Sequence, residues 1–309
     1  MHAGARARVG VDVGGTKVLA VVVDEGGVVR RRLQTALPAG ERTPAVLEET
    51  LTRAVRDVVD RVALSSLEGV GLSLAGLVDT QADRVRYCTH LPWRDDPVRA
   101  RLAARWGTRV VVENDATCAA VAEHRLGAAQ GLDSFVLVTL GTGIGGALVV
   151  DGEVWRGAGG MAGEFGHAPV VPAHLGGVAC TCGLRGCWEM YCSGHALRRW
   201  CAEHAPERAD LRDGPEITAA AVAGDVVALR AFEEVGTWLG RGLAALVAGY
   251  DPALLVVGGG VSAAGDLLLD PARTELERAT YAARHRRLPP LVQAECGPEA
   301  GAVGAALLL

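Results

Sequence analysis

Short apolar runs separated by glycine turns open the chain. Arg8 to Val13, Val18 to Asp24 and Val28 to Thr35 each have strand length, and Gly14-Gly15 and Glu25-Gly26-Gly27 lie between them, which predicts a β-meander. The period then changes. Leu47, Leu51, Ala54, Val55, Val58 and Val62 recur at helical spacing, with Thr43 placed to cap the helix and Pro44 to begin it. Further strands are predicted at Val70 to Leu74 and Arg109 to Val112.

From residue 113 the same pattern begins again. A helix over Ala116 to Leu126 precedes strands at Phe135 to Leu140, Ala147 to Val150 and Glu153 to Trp155. The stretch LGTGIGGALVVDGEV repeats the logic of VDVGGTKVLAVVVDEGG, with glycine turns in matching places, so the chain reads as an internal duplication whose halves would face one another across a cleft. A long amphipathic helix is predicted around Asp225 to Ala248, then a buried strand at Leu254 to Val257, and an apolar helix over Gly301 to Leu309. The polar, irregular stretch near Glu203 to Glu216 is the single such segment, so the hinge between halves should be short.

A length of 309 residues suits about two domains of ordinary size. Residues 1–115 with the C-terminal helix 298–309 are expected to form an N-terminal lobe, and 116–297 a C-terminal lobe. Half the residues are hydrophobic, yet the most apolar stretch, Leu132 to Val150, is cut by Asp133, Ser134, Thr139 and a glycine turn, so no membrane span is expected. The N-terminus reaches a strand without an apolar signal core, which points to the cytoplasm. A formal net charge of -5, with no basic stripe beyond Arg30 to Arg32, argues against nucleic-acid binding.

Three glycine turns follow predicted strands. In the first, the amides of Gly14 and Gly15, the Thr16 hydroxyl and Lys17 can reach phosphate oxygens, while Asp12 can hold a hydrated Mg2+. In the second, Thr142 and Gly143 suit a terminal phosphate. The third, Gly258-Gly259-Gly260, ends a strand and starts a helix, an arrangement that favours an anion. Singly, each could be a plain hairpin turn or a glycine-rich bulge. Three at strand ends, spread over both halves, match one bound nucleoside triphosphate.

Eight cysteines in a chain without a signal sequence do not suggest a disulfide framework. Three of them, Cys180, Cys182 and Cys187, crowd into CTCGLRGC behind His167 of GEFGH. One imidazole and three thiols form a closed tetrahedral zinc set, which braces a loop and leaves no position for water. Cys192 and Cys201 lie outside the spacing and read as buried thiols. Asp115, where a strand meets a helix, suits either a helix cap or a general base open to a bound hydroxyl.

DVGGTK, END, GTGIGGA, GEFGH, CTCGLRGCWE and VGGGVS occur in the order of the ROK family (repressors, open-reading-frame proteins and sugar kinases), which the chain resembles along nearly its whole length. The resemblance implies an α/β, two-lobed actin-like ATPase fold with duplicated ribonuclease H-like βββαβα halves. It also implies ATP-dependent phosphorylation of a hexose, glucose first, with ATP, Mg2+ and structural Zn2+. Asp115 would be the base, and Gly76, Asn114, Glu164, His167 and Glu189 would complete the sugar site, His167 serving both zinc and sugar. Relatives are commonly dimers or tetramers, so a homo-oligomer is expected. Family members often have Pro-Gly where this chain has Ala75-Gly76, and Asn in the sugar-facing loop where it has His90. Kinases for N-acetylhexosamines, fructose or a C7-cyclitol are therefore alternatives. A sugar-responsive repressor is a further one, against which stands a first strand that begins by residue 8, leaving no room for a winged helix.

Overall fold

Two five-stranded sheets of the same design organise the molecule, a computed structural model that describes residues 7–40, 42–60 and 67–309. β1 (Arg8–Val13), β2 (Lys17–Val23) and β3 (Val29–Ala36) form the meander. α1 (Pro44–Val59) follows, with the Thr43 hydroxyl accepting from Val46 N at 3.3 Å and with Leu47, Leu51, Ala54, Val55 and Val58 buried. Val62, assigned to the same face, lies outside the described residues.

β4 (Gly69–Leu74) leads into a small antiparallel sheet of β5 (Gly76–Asp79), β6 (Arg84–Cys88) and β7 (Arg94–Asp96). α2 (Val98–Trp106), β8 (Val110–Asn114) and α3 (Asp115–Leu126) come next. The first large sheet has the order β3-β2-β1-β4-β8, with β1 antiparallel to β2 and parallel to β4, which is parallel to β8.

The second half begins with β9 (Phe135–Leu140), β10 (Ile144–Val150) and β11 (Glu153–Val154). After a long loop come α4 (Gly194–His204), α5 (Gly214–Val222), α6 (Val226–Tyr250), β12 (Leu255–Gly258), α7 (Asp266–Ala279), β13 (Leu291–Gln293) and α8 (Ala300–Leu307). Its sheet order, β11-β10-β9-β12-β13, repeats the first: a meander whose opening strand pairs in parallel with one later strand, which pairs in parallel with the next. The duplication read from the glycine turns is thus present in the strand pairing. Parallel strands are covered on both faces, which explains why β4 and β9 read as near-continuous apolar runs. No helix of the described residues is long and apolar enough to cross a membrane.

One unit comprises the chain up to Gly131 with Val154–Ala162 and Cys296–Leu309; the other comprises Leu132–Glu153 and Gly163–Glu295. The first unit therefore runs past residue 115 to take in α3. The reason is packing: α3 lies against α8, close enough that a Cβ at Gly304 would stand 1.7 Å from the Cys118 carbonyl oxygen. The buried Glu123 fastens the same region, accepting from Ala128 N at 2.9 Å and from Cys296 N at 2.7 Å. Arg30, Arg31 and Arg32 lie along the edge strand β3, where they pair with Asp24, Asp60 and Glu299 and keep charge on an otherwise unpaired edge.

α8 also rests its backbone on the first sheet. A Cβ added at Gly71 would lie 1.9 Å from the Ala305 carbonyl oxygen, and one at Gly10 would lie 1.8 Å from that of Ala302. Gly71→Ala is expected to lower the unfolding free energy by about 3 kcal/mol, the upper end for overpacking, as read from urea denaturation. Gly249→Ala, near the end of α6 with nothing within 4 Å of the new methyl, should be neutral or stabilising.

Candidate active site

In the first unit, β1, β4 and β8 run parallel and end level with one another: Asp12 stands beside Ser73, Val13 beside Leu74, and Leu74 beside Asn114. Their C-terminal ends gather Asp12, the glycine turn, Gly76, Asn114 and Asp115. Gly14 N donates to Lys17 O at 3.0 Å and closes the turn; Leu37 N and Arg42 Nη1 occupy the carbonyls of Thr16 and Gly15 at 2.9 and 2.6 Å. His90 packs against this turn, its Cβ 3.5 Å from where a Gly15 side chain would begin. The Ser73 hydroxyl donates to Asp12 Oδ1 at 2.6 Å. Burial pushes the Asp12 carboxyl above its ordinary range, while the Ser73 hydrogen bond and the charge of Lys17 oppose that rise.

The cap role weighed for Asp115 falls to its neighbour. Asn114 is the cap: its Oδ1 accepts from Ala116 N at 2.9 Å and Thr117 N at 3.1 Å. Its Nδ2 donates to Gly76 O at 3.2 Å, tying β5 to the start of α3. Asp115 is the first helical residue, where the aligned peptide dipoles favour an anion, and its Oδ1 accepts from Ala116 N at 3.0 Å. Gly76 admits no side chain, since a Cβ there would meet Tyr87 O at 2.4 Å and Cys88 Sγ at 2.6 Å. Burial raises the Cys88 thiol to about 12, against the pull of Arg94 and with the charge of Asp115 adding to the rise.

One further acidic residue at this end was not singled out from the sequence. Glu113 is buried; its Oε1 accepts from Asn114 N at 2.9 Å and its Oε2 from Arg156 Nε at 2.7 Å. A carboxylate inside the apolar run VVVEND was the available signal, because such a group needs a partner.

In the second unit, the other two glycine turns follow neighbouring parallel strands, with Thr139 beside Gly258. Gly259, at φ +82°, comes so near β9 that a Cβ would lie 2.5 Å from Leu140 O. Gly141 N donates to Gly143 O at 3.0 Å. Gly258-Gly259-Gly260 does start a helix, but one of 3-10 type, Gly260–Ala264; α7 begins only at Asp266. Its short, tight turns do not sum into a substantial dipole. An α-helix does begin beside the second turn, however. α4, capped by the buried Ser193, donates Gly194 N to Gly141 O at 2.9 Å.

His167, Cys180, Cys182 and Cys187 bring one ligand atom each to within 4.8 Å of one another. Cys182 and Cys187 Sγ are 3.6 Å apart, and Cys180 Sγ lies 3.8 Å from His167 Nδ1. Tetrahedral bonds of about 2.3 Å to sulfur and about 2.0 Å to nitrogen require separations of that size, so the residues fit a zinc ion. Because Nδ1 faces the thiols, His167 Nε2 is turned to Glu164, 3.9 Å from its Oε2. The two ring nitrogens thus serve different neighbours. Burial raises the Glu164 carboxyl, with His167 opposing the rise and Glu189 adding to it. Glu189, in the 3-10 turn Trp188–Met190, divides its oxygens: Oε1 accepts from Cys180 Sγ at 3.2 Å and Oε2 from Ile144 N at 3.3 Å. Cys192 and Cys201 are buried away from the set, as read.

Comparison with known proteins places these residues in context. The model of the ROK family matches residues 8–309. A glucokinase of Streptomyces coelicolor is 38% identical over 312 residues, covering 96% of each chain. A ROK family glucokinase from Streptomyces griseus, solved in complex with glucose and AMPPNP, is 40% identical and superimposes with a TM-score of 0.87 over 98% of each chain. A ROK hexokinase from Thermus thermophilus is 38% identical, with a TM-score of 0.75 over 97% of each chain.

The four-residue cluster predicts about one zinc per chain by mass spectrometry of the purified protein. Cys182→Ser should lose most of it, whereas Cys201→Ser, outside the cluster, should keep it. Full zinc content in Cys182→Ser would remove Cys182 from the ligand set.

Proposed function

This chain belongs to the ROK family, and from that premise we propose that it is an ATP-dependent sugar kinase that phosphorylates a hexose, glucose first, with Asp115 as general base. The observation that carries the base assignment is the capping of α3 by Asn114, which puts Asp115 inside the first helical turn, at the same sheet end as Asp12 and the first glycine turn. ATP as donor and glucose as acceptor are supported by the relative crystallised with glucose and AMPPNP.

In this reading Asp115 accepts the proton of a primary sugar hydroxyl as that oxygen bonds to the γ-phosphorus and the bond to the leaving ADP breaks. Little covalent chemistry is asked of the protein, so positioning and charge stabilisation dominate. Thr16, Lys17 and the amides of Gly14 and Gly15 would donate to phosphate oxygens, as would Thr142, Gly143 and Gly258 to Gly260. Asp12 would hold Mg2+, which when bound neutralises phosphate oxygens; a single carboxylate suits an ion that keeps several waters. Glu164, the Nε2 of His167 and Glu189 accept or donate to sugar hydroxyls. Zinc on His167 Nδ1 and the three thiols would fix the imidazole in the orientation that leaves Nε2 for that purpose.

Asp115→Asn should lower kcat by about a thousandfold, within the range for a positioned base, while calorimetry finds glucose binding retained. Unimpaired turnover in that variant would remove Asp115 as the base. A coupled ADP-release assay over glucose, mannose, fructose, N-acetylglucosamine, N-acetylmannosamine and a C7-cyclitol should give the highest kcat/KM with glucose; no turnover on any of them would overturn the kinase reading.

A further inference from the structure

We propose that Glu113 and Arg156 form a positioning pair for phosphoryl transfer, holding the β8–α3 junction in the geometry that Asp115 needs; the proposal rests on the kinase reading above. The Glu113 side chain is 4% exposed and immediately precedes the capping residue. Its two oxygens have different tasks. Oε1 takes the Asn114 amide at 2.9 Å, fixing the peptide plane from which the cap and then Asp115 project. Oε2 takes Arg156 Nε at 2.7 Å and supplies the buried carboxylate with its counter-charge.

Arg156 itself sits on a loop closed by its own hydrogen bonds. The segment Val154–Ala162 leaves the second sheet after β11 and belongs to the first unit. It closes on itself through Ala162 N to Arg156 O at 3.0 Å and Gly160 N to Gly157 O at 3.3 Å. At Gly160, φ is +75° and a Cβ would stand 2.9 Å from Thr80 Oγ1, so the loop lies directly on the strap after β5. The residues that follow are Gly163 and Glu164. One arginine thus fastens the segment leading into GEFGH to the residue that orients END.

Stability alone does not account for the pair, since a buried ion pair can often be replaced by apolar residues of similar volume without loss. An apolar pair would not direct the Asn114 amide. The charge also matters in a specific way: removing Arg156 leaves Glu113 buried and unpaired, free to turn towards water and release that amide.

The test uses the full-length protein as Arg156→Met, Arg156→Lys, Glu113→Gln and the Glu113→Gln/Arg156→Met double variant, with ATP and glucose in the coupled assay. Arg156→Met should lose about 10- to 100-fold in kcat, the scale set by misplacing a reacting group by about 1 Å, with KM for ATP changed less than about twofold. Arg156→Lys should recover most of the loss, and the double variant should be no worse than the poorer single one, because the two residues act as a unit. If Arg156→Met does not fold, the near-isosteric Glu113→Gln carries the same kcat test. Hydrogen–deuterium exchange over residues 110–119, which needs no turnover, should rise in Arg156→Met and return in Arg156→Lys. Unchanged exchange overturns the positioning role even if the wild-type chain phosphorylates no hexose, a failure that would count against the kinase reading instead. Wild-type kcat in Arg156→Met, or equal loss in Arg156→Lys, overturns it as well.

Discussion

The register of the parallel ladders is the constraint on which the rest depends. In the first sheet it sets β1, β4 and β8 level, and so delivers Asp12, Ser73 and Asn114 to one edge. In the second it sets β9 level with β12, and so delivers the turns after Leu140 and Val257 side by side. Side chains in a ladder alternate faces, so a slip of one residue would move all of these residues at once. The glycines then refine what register begins. Gly259 brings one turn against the end of β9, and Gly10 and Gly71 let a helix backbone settle on the first sheet.

Within the second unit the His167, Cys180, Cys182 and Cys187 cluster and the glycine turn after β9 are one mechanical object. Glu189 is the joint between them, with one oxygen on a ligand thiol and the other on the Ile144 amide. A Cβ at Gly143 would lie 2.4 Å from Glu189 Oε2, so the turn's small residue and the carboxylate's placement require each other. A structural ion of this kind acts at a distance through whatever its ligands' neighbours touch. Here those neighbours would be the glycine turn after β9 and the imidazole that faces Glu164.

Most of the architecture was legible because it rests on local pattern. The opening meander, the Thr43 cap, the strand at Phe135 to Leu140 and the repeated glycine logic all reappear in the pairing of strands. The grouping of His167 with Cys180, Cys182 and Cys187 was legible for the same reason, since these residues lie in a short stretch. What escaped depends on distant partners. β6 and β7 are rich in arginine and aspartate, RVRYC and RDD, and become strands through ion pairs such as Arg86 with Asp79 and Asp95 rather than through an apolar run. Glu113 finds Arg156 forty-three residues away, which no window of sequence reveals. The sequence reading offered Asp115 as the cap, and only backbone geometry gives that role to its neighbour Asn114. The 3-10 segment after Gly260 is likewise a matter of backbone angles that VGGGVS does not specify.

The placement of α8 has a bearing on how the protein is made. Gly10 in the first strand and Ala302 in the last helix are in backbone contact, although nearly the whole chain lies between them. On the ribosome the first unit has its strands long before it has the helix that covers them, so the apolar face of β1 and β4 must wait until Ala300–Leu307 emerges. The second unit, apart from the excursion after β11, is contiguous in sequence and carries no such delay. Pairings this far apart in sequence carry a loop-closure cost and close slowly.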